Sequence, residues 1–193
     1  MTAAILPTKC GSETLRERLA DAVWSDVTLK FDPIVEARRQ WDLRWEGSAA
    51  MTAATSIMRA QQIILGRVDE TLRSFDLTFA RYEALVLLTF TRAGSLPLGK
   101  MGERLMVHPA SVTKIVDRLT EQGLLNRVPH PTDRRAVLAH ITDEGRQRVK
   151  VATDAVIACS LGMDGLEHCD LESLSGLLAK FRKAAGDFDD PVR

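Results

Sequence analysis

Apolar residues recur at three- and four-residue intervals along most of this chain, and breaks in that rhythm define its organisation. Leu15, Leu19 and Val23 predict a short helix over "SETLRERLADAVW", followed by a connector through "DVTLKF". Asp32 before Pro33 predicts a helix start, with a capping carboxylate and a proline in the first turn. Ile34, Arg38, Trp41 and Trp45 carry that helix to Gly47, where Ser48 is placed to cap a long successor. The long helix carries a stripe of Met51, Met58, Leu65, Val68, Leu72 and Phe75. Thr78 opens a very apolar helix through Leu85, Val86, Leu88 and Phe90, closed by Gly94 and expected at the centre of the core.

Beyond Gly94 the elements shorten. "LPLGKMGERLM" predicts a tiny strand at 96–98 and a short helix with Met101, Leu105 and Met106 inward. "HPASVTKIVDRLTEQG" predicts a second helix, started by Pro109 and stopped by Gly123. "LLNRV" and "AVLAHI" are strand candidates joined by a proline-bearing loop. Thr142 caps a long amphipathic helix with Asp143 and Glu144 in its first turn, where acidic groups complement the helix dipole. One face of it carries Val149, Ala152, Val156, Cys159 and Met163. A last helix is expected over about 170–185, with Leu171, Leu174, Leu177, Leu178 and Phe181 apolar, before a frayed tail "GDFDDPVR". The fold class is therefore mainly α, with one β interruption.

Composition changes this picture little: 193 residues, 45% hydrophobic and 27% charged, suit a globular protein with a sizeable core. No apolar run reaches the roughly eighteen residues a membrane span needs, and the start lacks a secretory pattern, so the cytoplasm is expected. Charge adds more. The formal net charge is zero, yet residues 100–150 hold ten Lys and Arg against six Asp and Glu, whereas 151–193 hold four against eight. A local basic excess of this kind is the footprint an anionic polymer requires.

Short helix, turn, helix and two-stranded hairpin over residues 96–141 is the order of a winged helix-turn-helix. The second helix of such a unit enters the major groove. Its composition divides accordingly: Val112, Ile115, Val116 and Leu119 face the core, while Pro109, Ala110, Ser111, Thr113, Lys114 and Arg118 project toward double-stranded DNA. Small and hydroxyl side chains permit close approach to base edges, and Lys114 and Arg118 add charge along the flank. In the hairpin, Pro129 and Pro131 stiffen a loop that presents Arg134 and Arg135. A narrow minor groove attracts inserted arginine, which gives this pair a role, and Asp133 can hold the loop's shape through a neighbouring arginine.

Residues 75–150 resemble the MarR family of transcription regulators. The likeness rests on "LPLGKMGERLMVHPASVTKIVDRLTEQGLLNRV" followed by "PTDRRAVLAHITDEG", with Asp133, Arg135, Ile141, Thr142 and Gly145 matching the wing signature. His108-Pro109 departs from the family's usual serine or aspartate cap, so His108 either meets a phosphate when protonated or substitutes as the cap. The resemblance implies four regions: an extension over 1–32, dimerisation and ligand-crevice helices over 33–75, the DNA-binding domain over 76–142, and C-terminal dimerisation helices over 143–188. It also implies a homodimer on a pseudo-palindromic operator, more often a repressor, released by a small aromatic or anionic ligand. Apolar stripes at 34–45, 149–163 and 171–181 independently exceed what one small domain covers. The extended N-terminus with paired tryptophans resembles the urate-responsive branch, which makes Trp41, Arg44, Trp45, Arg59 and Glu83 the ligand candidates. Glu83 stands where that branch has an aspartate.

Three other readings are weighed. No phosphate loop, nucleophile elbow or zinc-protease motif supports an enzyme, no cofactor is implied, and His108, His130, His140 and His168 lack metal spacing. A winged helix used only for protein binding would not need paired arginines beside a lysine-bearing helix. A redox-sensing regulator would need a reactive thiol among Cys10, Cys159 and Cys169, none in metal-type spacing.

Overall fold

Asp32 starts its helix as its position predicts. The carboxylate accepts from the backbone N–H of Ile34 at 2.8 Å and of Val35 at 3.4 Å, and α1 runs Pro33–Asp42. The computed structural model describes residues 29–133 and 136–189, so the helix expected around Leu15, Leu19 and Val23, Cys10, and the pair Arg134 and Arg135 lie outside the described residues. The chain divides into two compact units, Met1–Gly162 and Met163–Arg193.

In the first unit, α1 ends before Gly47, because Trp41 gathers the following turn. Its carbonyl accepts from Arg44 and Trp45, and its indole N–H donates to the Glu46 carbonyl at 2.8 Å. Gly47, at φ 75°, takes the left-handed conformation that turns the chain into α2, Ser48–Arg73. Ser48 is thus the first helical residue rather than the cap. Only Val68, Thr71 and Leu72 of α2 are buried, so the expected stripe meets the core at its C-terminal end alone, and Met58 is exposed.

Helix α3, Phe79–Thr89, is the centre of the core, with Tyr82, Ala84, Leu85 and Leu88 buried. Its N-terminal amide is satisfied from a distance: Asp69 on α2 accepts from the Phe79 N–H at 2.6 Å. It stops at Thr89 rather than Gly94, and Phe90 emerges 79% exposed. Strand β1, Ser95–Pro97, then leads directly into α4, Leu98–Leu105. Met101 and Leu105 point inward as expected, but Met106 does not. It adopts φ 54° at the helix C-terminus, which swings its side chain outward.

Helix α5 spans Pro109–Glu121, followed by β2, Leu125–Pro129, and β3, Val137–Ile141. The wing is not merely two-stranded. Strand β3 lies between β1 and β2, antiparallel to both, with Leu96 opposite Ala139 and Val128 opposite Leu138. Helix α6, Asp143–Ala158, begins where the Thr142 hydroxyl accepts from the Gly145 N–H at 3.0 Å and donates to the Gly123 carbonyl at 2.8 Å. Val149, Ala152 and Val156 are buried, but the stripe does not continue to Met163. Ser160 and Leu161 have positive φ, and a 3-10 turn over Ser160–Gly162 ends the face at Cys159.

The second unit is built on α7, His168–Ala184, closed at its start by a reciprocal pair of Glu167 and Asp170 side-chain bonds. Leu177 and Phe181 are about two-thirds exposed. The described start of the tail is held: Arg182 bonds Asp187 at 2.6 Å and lies 5.3 Å over the Phe188 ring.

Candidate nucleic-acid interface

Helix α5 is amphipathic in the strict sense that its two faces have different jobs. Val112, Val116 and Leu119 are fully buried against the core and Ile115 is half-buried, which fixes the helix about its axis. Pro109, Ala110, Ser111, Thr113, Lys114 and Arg118 are all exposed. The structure therefore sets every helix residue singled out from the sequence on the outward side. Thr113 donates its hydroxyl to the Pro109 carbonyl at 3.2 Å, and Arg118 pairs with Glu121 at 2.9 Å. That ion pair is exposed and screened, so it holds the guanidinium only loosely.

The departure at His108 resolves as a cap. Its Nδ1 accepts from the Ala110 N–H at 3.2 Å, and its carbonyl accepts from Ser111 at 2.8 Å and Val112 at 3.2 Å. Pro109 has no N–H to satisfy.

The wing is anchored by residues that sequence reasoning passed over. Arg127 on β2 forms a hydrogen-bonded ion pair with Asp117 on α5, which ties strand to helix. At the start of the loop, the His130 ring accepts from the Asp133 backbone N–H at 3.1 Å, while the His130 backbone N–H donates to the Ala136 carbonyl at 3.1 Å. Ala136 in turn donates to the Asp133 carbonyl at 3.0 Å. The loop's shape thus comes from His130 as well as from its prolines. The i, i+3 spacing of a ring acceptor before Asp133 was the available signal.

Behind α5, its C-terminal end is latched to the turn between α2 and α3. Gln122 donates to the Asp76 carbonyl at 2.8 Å and carboxylate at 2.6 Å, and Arg148 of α6 donates to the Phe75 carbonyl at 3.0 Å. Glu144 holds Arg148 at 2.9 Å. Gly145 brings α6 against the root of the wing: a Cβ there would lie 2.3 Å from the Leu124 carbonyl oxygen.

The ligand candidates are only partly gathered. Trp41 and Trp45 pack in a tilted contact, with centroids 5.0 Å apart and planes at 59°. Arg44, beside them, donates to the Gln40 carbonyl and side chain at 2.9 Å. Arg59 bonds Gln62 on its own helix at 3.1 Å, and Glu83 is half-buried on α3. Burial raises the Glu83 carboxyl above its ordinary range. On α1, Arg39 and Gln40 hydrogen bonds bring the exposed Glu36 carboxyl down to about 2. Cys159 donates to the Val156 carbonyl at 3.2 Å and accepts from the Thr71 hydroxyl at 3.5 Å. No metal-type cluster occurs among the described residues, and none of their helices is long and apolar enough to cross a membrane.

Comparison with known proteins converges on one group. The MarR family profile matches residues 79–137. An uncharacterised helix-turn-helix transcriptional regulator of Bacillus subtilis (strain 168), YhbI, is 35% identical over 131 residues, covering 68% of this chain and 78% of that protein. The crystal structure of Sco5413, a MarR family transcriptional regulator from Streptomyces coelicolor, is 51% identical and matches with a TM-score of 0.69 over 75% of this chain and 100% of that one. Sco3205, a regulator from the same organism solved in complex with DNA, shares the fold at 22% identity and a TM-score of 0.66, covering 76% of this chain and 92% of that one.

Proposed function

The chain belongs to the MarR family and is a DNA-binding transcription regulator, and from that premise we propose how its parts engage DNA. Helix α5 lies in the major groove with Ala110, Ser111 and Thr113 toward base edges and Pro109 at the point of closest approach. Lys114 and Arg118 meet phosphates along its flank, and Arg134 and Arg135 reach the adjacent minor groove from the wing. Asp133 restrains the arginine-bearing loop. The observation that carries this reading is the division of α5: one face sealed into the core, the other exposing all six candidates.

The protein acts as a cytoplasmic homodimer. Its apolar residues on α1, α2, the turn between them and α7 support this, since Val35, Trp45, Met58, Leu177 and Phe181 are each more than 60% exposed in the single chain. Two-fold symmetry would set two recognition helices about one DNA turn apart on a pseudo-palindromic operator. The regulator is a repressor released by a small aromatic or anionic ligand, with Trp41, Trp45 and Arg44 supplying an aromatic face and a cation, and Arg59 and Glu83 as further contacts. It has no catalytic role.

A gel-shift series tests the DNA reading. Arg135→Ala is expected to weaken binding to a duplex selected by the wild-type protein, with helix content and sedimentation unchanged. Unchanged binding would remove the wing from the mechanism.

A further inference from the structure

Helix N-termini ordinarily bind phosphate through free backbone N–H groups. Helix α5 has none to offer. Pro109 lacks an N–H, Ala110 donates to the His108 ring, and Ser111 and Val112 donate to the His108 carbonyl. A phosphate arriving at this end of the recognition helix needs a side-chain donor.

The same histidine provides one. Its Nδ1 accepts a hydrogen bond and so carries no proton, which leaves the proton of the neutral ring on Nε2. The two ring nitrogens point in divergent directions, so when Nδ1 faces the helix amide, Nε2 faces away from it. His108 is exposed, at the leading edge of the face that carries Ala110, Ser111 and Lys114.

We infer that His108 is a DNA-contacting residue: a neutral Nε2–H donor to a backbone phosphate, with its Nδ1 bond fixing both tautomer and aim. The cap and the contact are one device. The ring takes up the amide that a phosphate would otherwise bind and presents an N–H of its own further out. This inference rests on the assignment of α5 as the groove-reading helix. A neutral donor differs from Lys114 and Arg118 in one measurable way: it displaces no condensed counterion, so it adds affinity without steepening the salt dependence.

The experiment replaces His108→Ser, since serine is a strong N-cap that satisfies the Ala110 amide but is too short to reach beyond it. Binding is measured at pH 8 over a range of salt, on a duplex selected from a random pool by the wild-type protein and on a scrambled duplex of equal length. Lys114→Ala and Arg118→Ala are run beside it. The expected result is a melting temperature at or above wild type, an affinity about tenfold lower on both duplexes, and an unchanged salt slope. Imidazole nitrogen NMR of the free protein should show the His108 proton on Nε2. Wild-type affinity in His108→Ser would overturn the inference, as would a shallower salt slope (a cationic contact) or a proton found on Nδ1. If Lys114→Ala and Arg118→Ala also bind as tightly as wild type, the helix-face assignment itself is at fault, which separates the two failures.

Discussion

Gly145→Ala sets two physical effects of opposite sign against each other, and the structure says which wins. Gly145 lies in the first turn of α6, where alanine is preferred to glycine by about 1 kcal/mol in a helix. Propensity alone would make the variant more stable. The added Cβ, however, would sit 2.3 Å from the Leu124 carbonyl oxygen and 2.9 Å from Ile141 Cγ1. That oxygen cannot retreat freely, because it accepts from the Thr142 amide at 3.1 Å. Leu124 and Ile141 are themselves buried. Overpacking of this kind costs about 1–3 kcal/mol, at its upper end against backbone. After the gain in propensity, a net loss of about 2 kcal/mol remains, or about 4–8 °C in Tm for a chain of this size. Gly176→Ala is the control: it lies within α7, and a Cβ there meets nothing within 4 Å. Thermal unfolding by circular dichroism should lower Tm for Gly145→Ala while Gly176→Ala holds or raises it. A Gly145→Ala protein as stable as wild type would refute the close approach of α6 to the wing root.

Four further outcomes are expected. Arg118→Ala should weaken binding to all duplexes alike, whereas Thr113→Val should change the sequence preference in a selection experiment; equal loss across operator variants would remove Thr113 as a base contact. Asp117→Asn should lower DNA affinity several-fold with little change in Tm, because its bond to Arg127 positions the wing while both groups remain partly exposed; wild-type affinity would show that the tie is dispensable. Burial raises Glu83, so its charged form opposes folding at neutral pH. Glu83→Gln should therefore raise Tm at pH 7, with the advantage lost as pH falls through the folded carboxyl's range and both proteins carry a neutral side chain. Among aromatic acids and nucleobase-like compounds, a true effector should raise Tm in proportion to the logarithm of its concentration, and Trp45→Ala should abolish that rise.

Much of this organisation was legible because local chemistry and tertiary packing agree. Asp32-Pro33, Thr142 and the Val112, Val116, Leu119 spacing each specify one local outcome, and the structure realises all three. The differences fall where spacing and composition leave the local outcome open. By spacing Gly47 and Gly94 are helix stops, but the helices end earlier, at Asp42 and Thr89; the Trp41 indole and the Thr91 hydroxyl bond within the following turns, which the glycines complete. Met106 belongs by spacing to an inward stripe, yet a left-handed residue at the helix end rotates it out. The site divided in the same way. The outward face of α5 follows from periodicity, whereas Asp117–Arg127, Gln122–Asp76 and Arg148–Phe75 join residues ten to seventy-three positions apart and leave no pattern in a linear reading. His108 lay between the two. Its position marks it as a cap, and its ring nitrogen takes the place of the usual side-chain oxygen.

The decisive measurement is the salt dependence of binding. On a wild-type-selected duplex, a symmetric dimer using Lys114, Arg118 and the wing arginines should lose affinity linearly in log salt, at about −0.9 per phosphate neutralised. DNA recognition by the dimer requires a steep slope at a stoichiometry of two chains per duplex, and a shallower slope in Lys114→Ala. A flat salt response, or binding of a single chain, would contradict it.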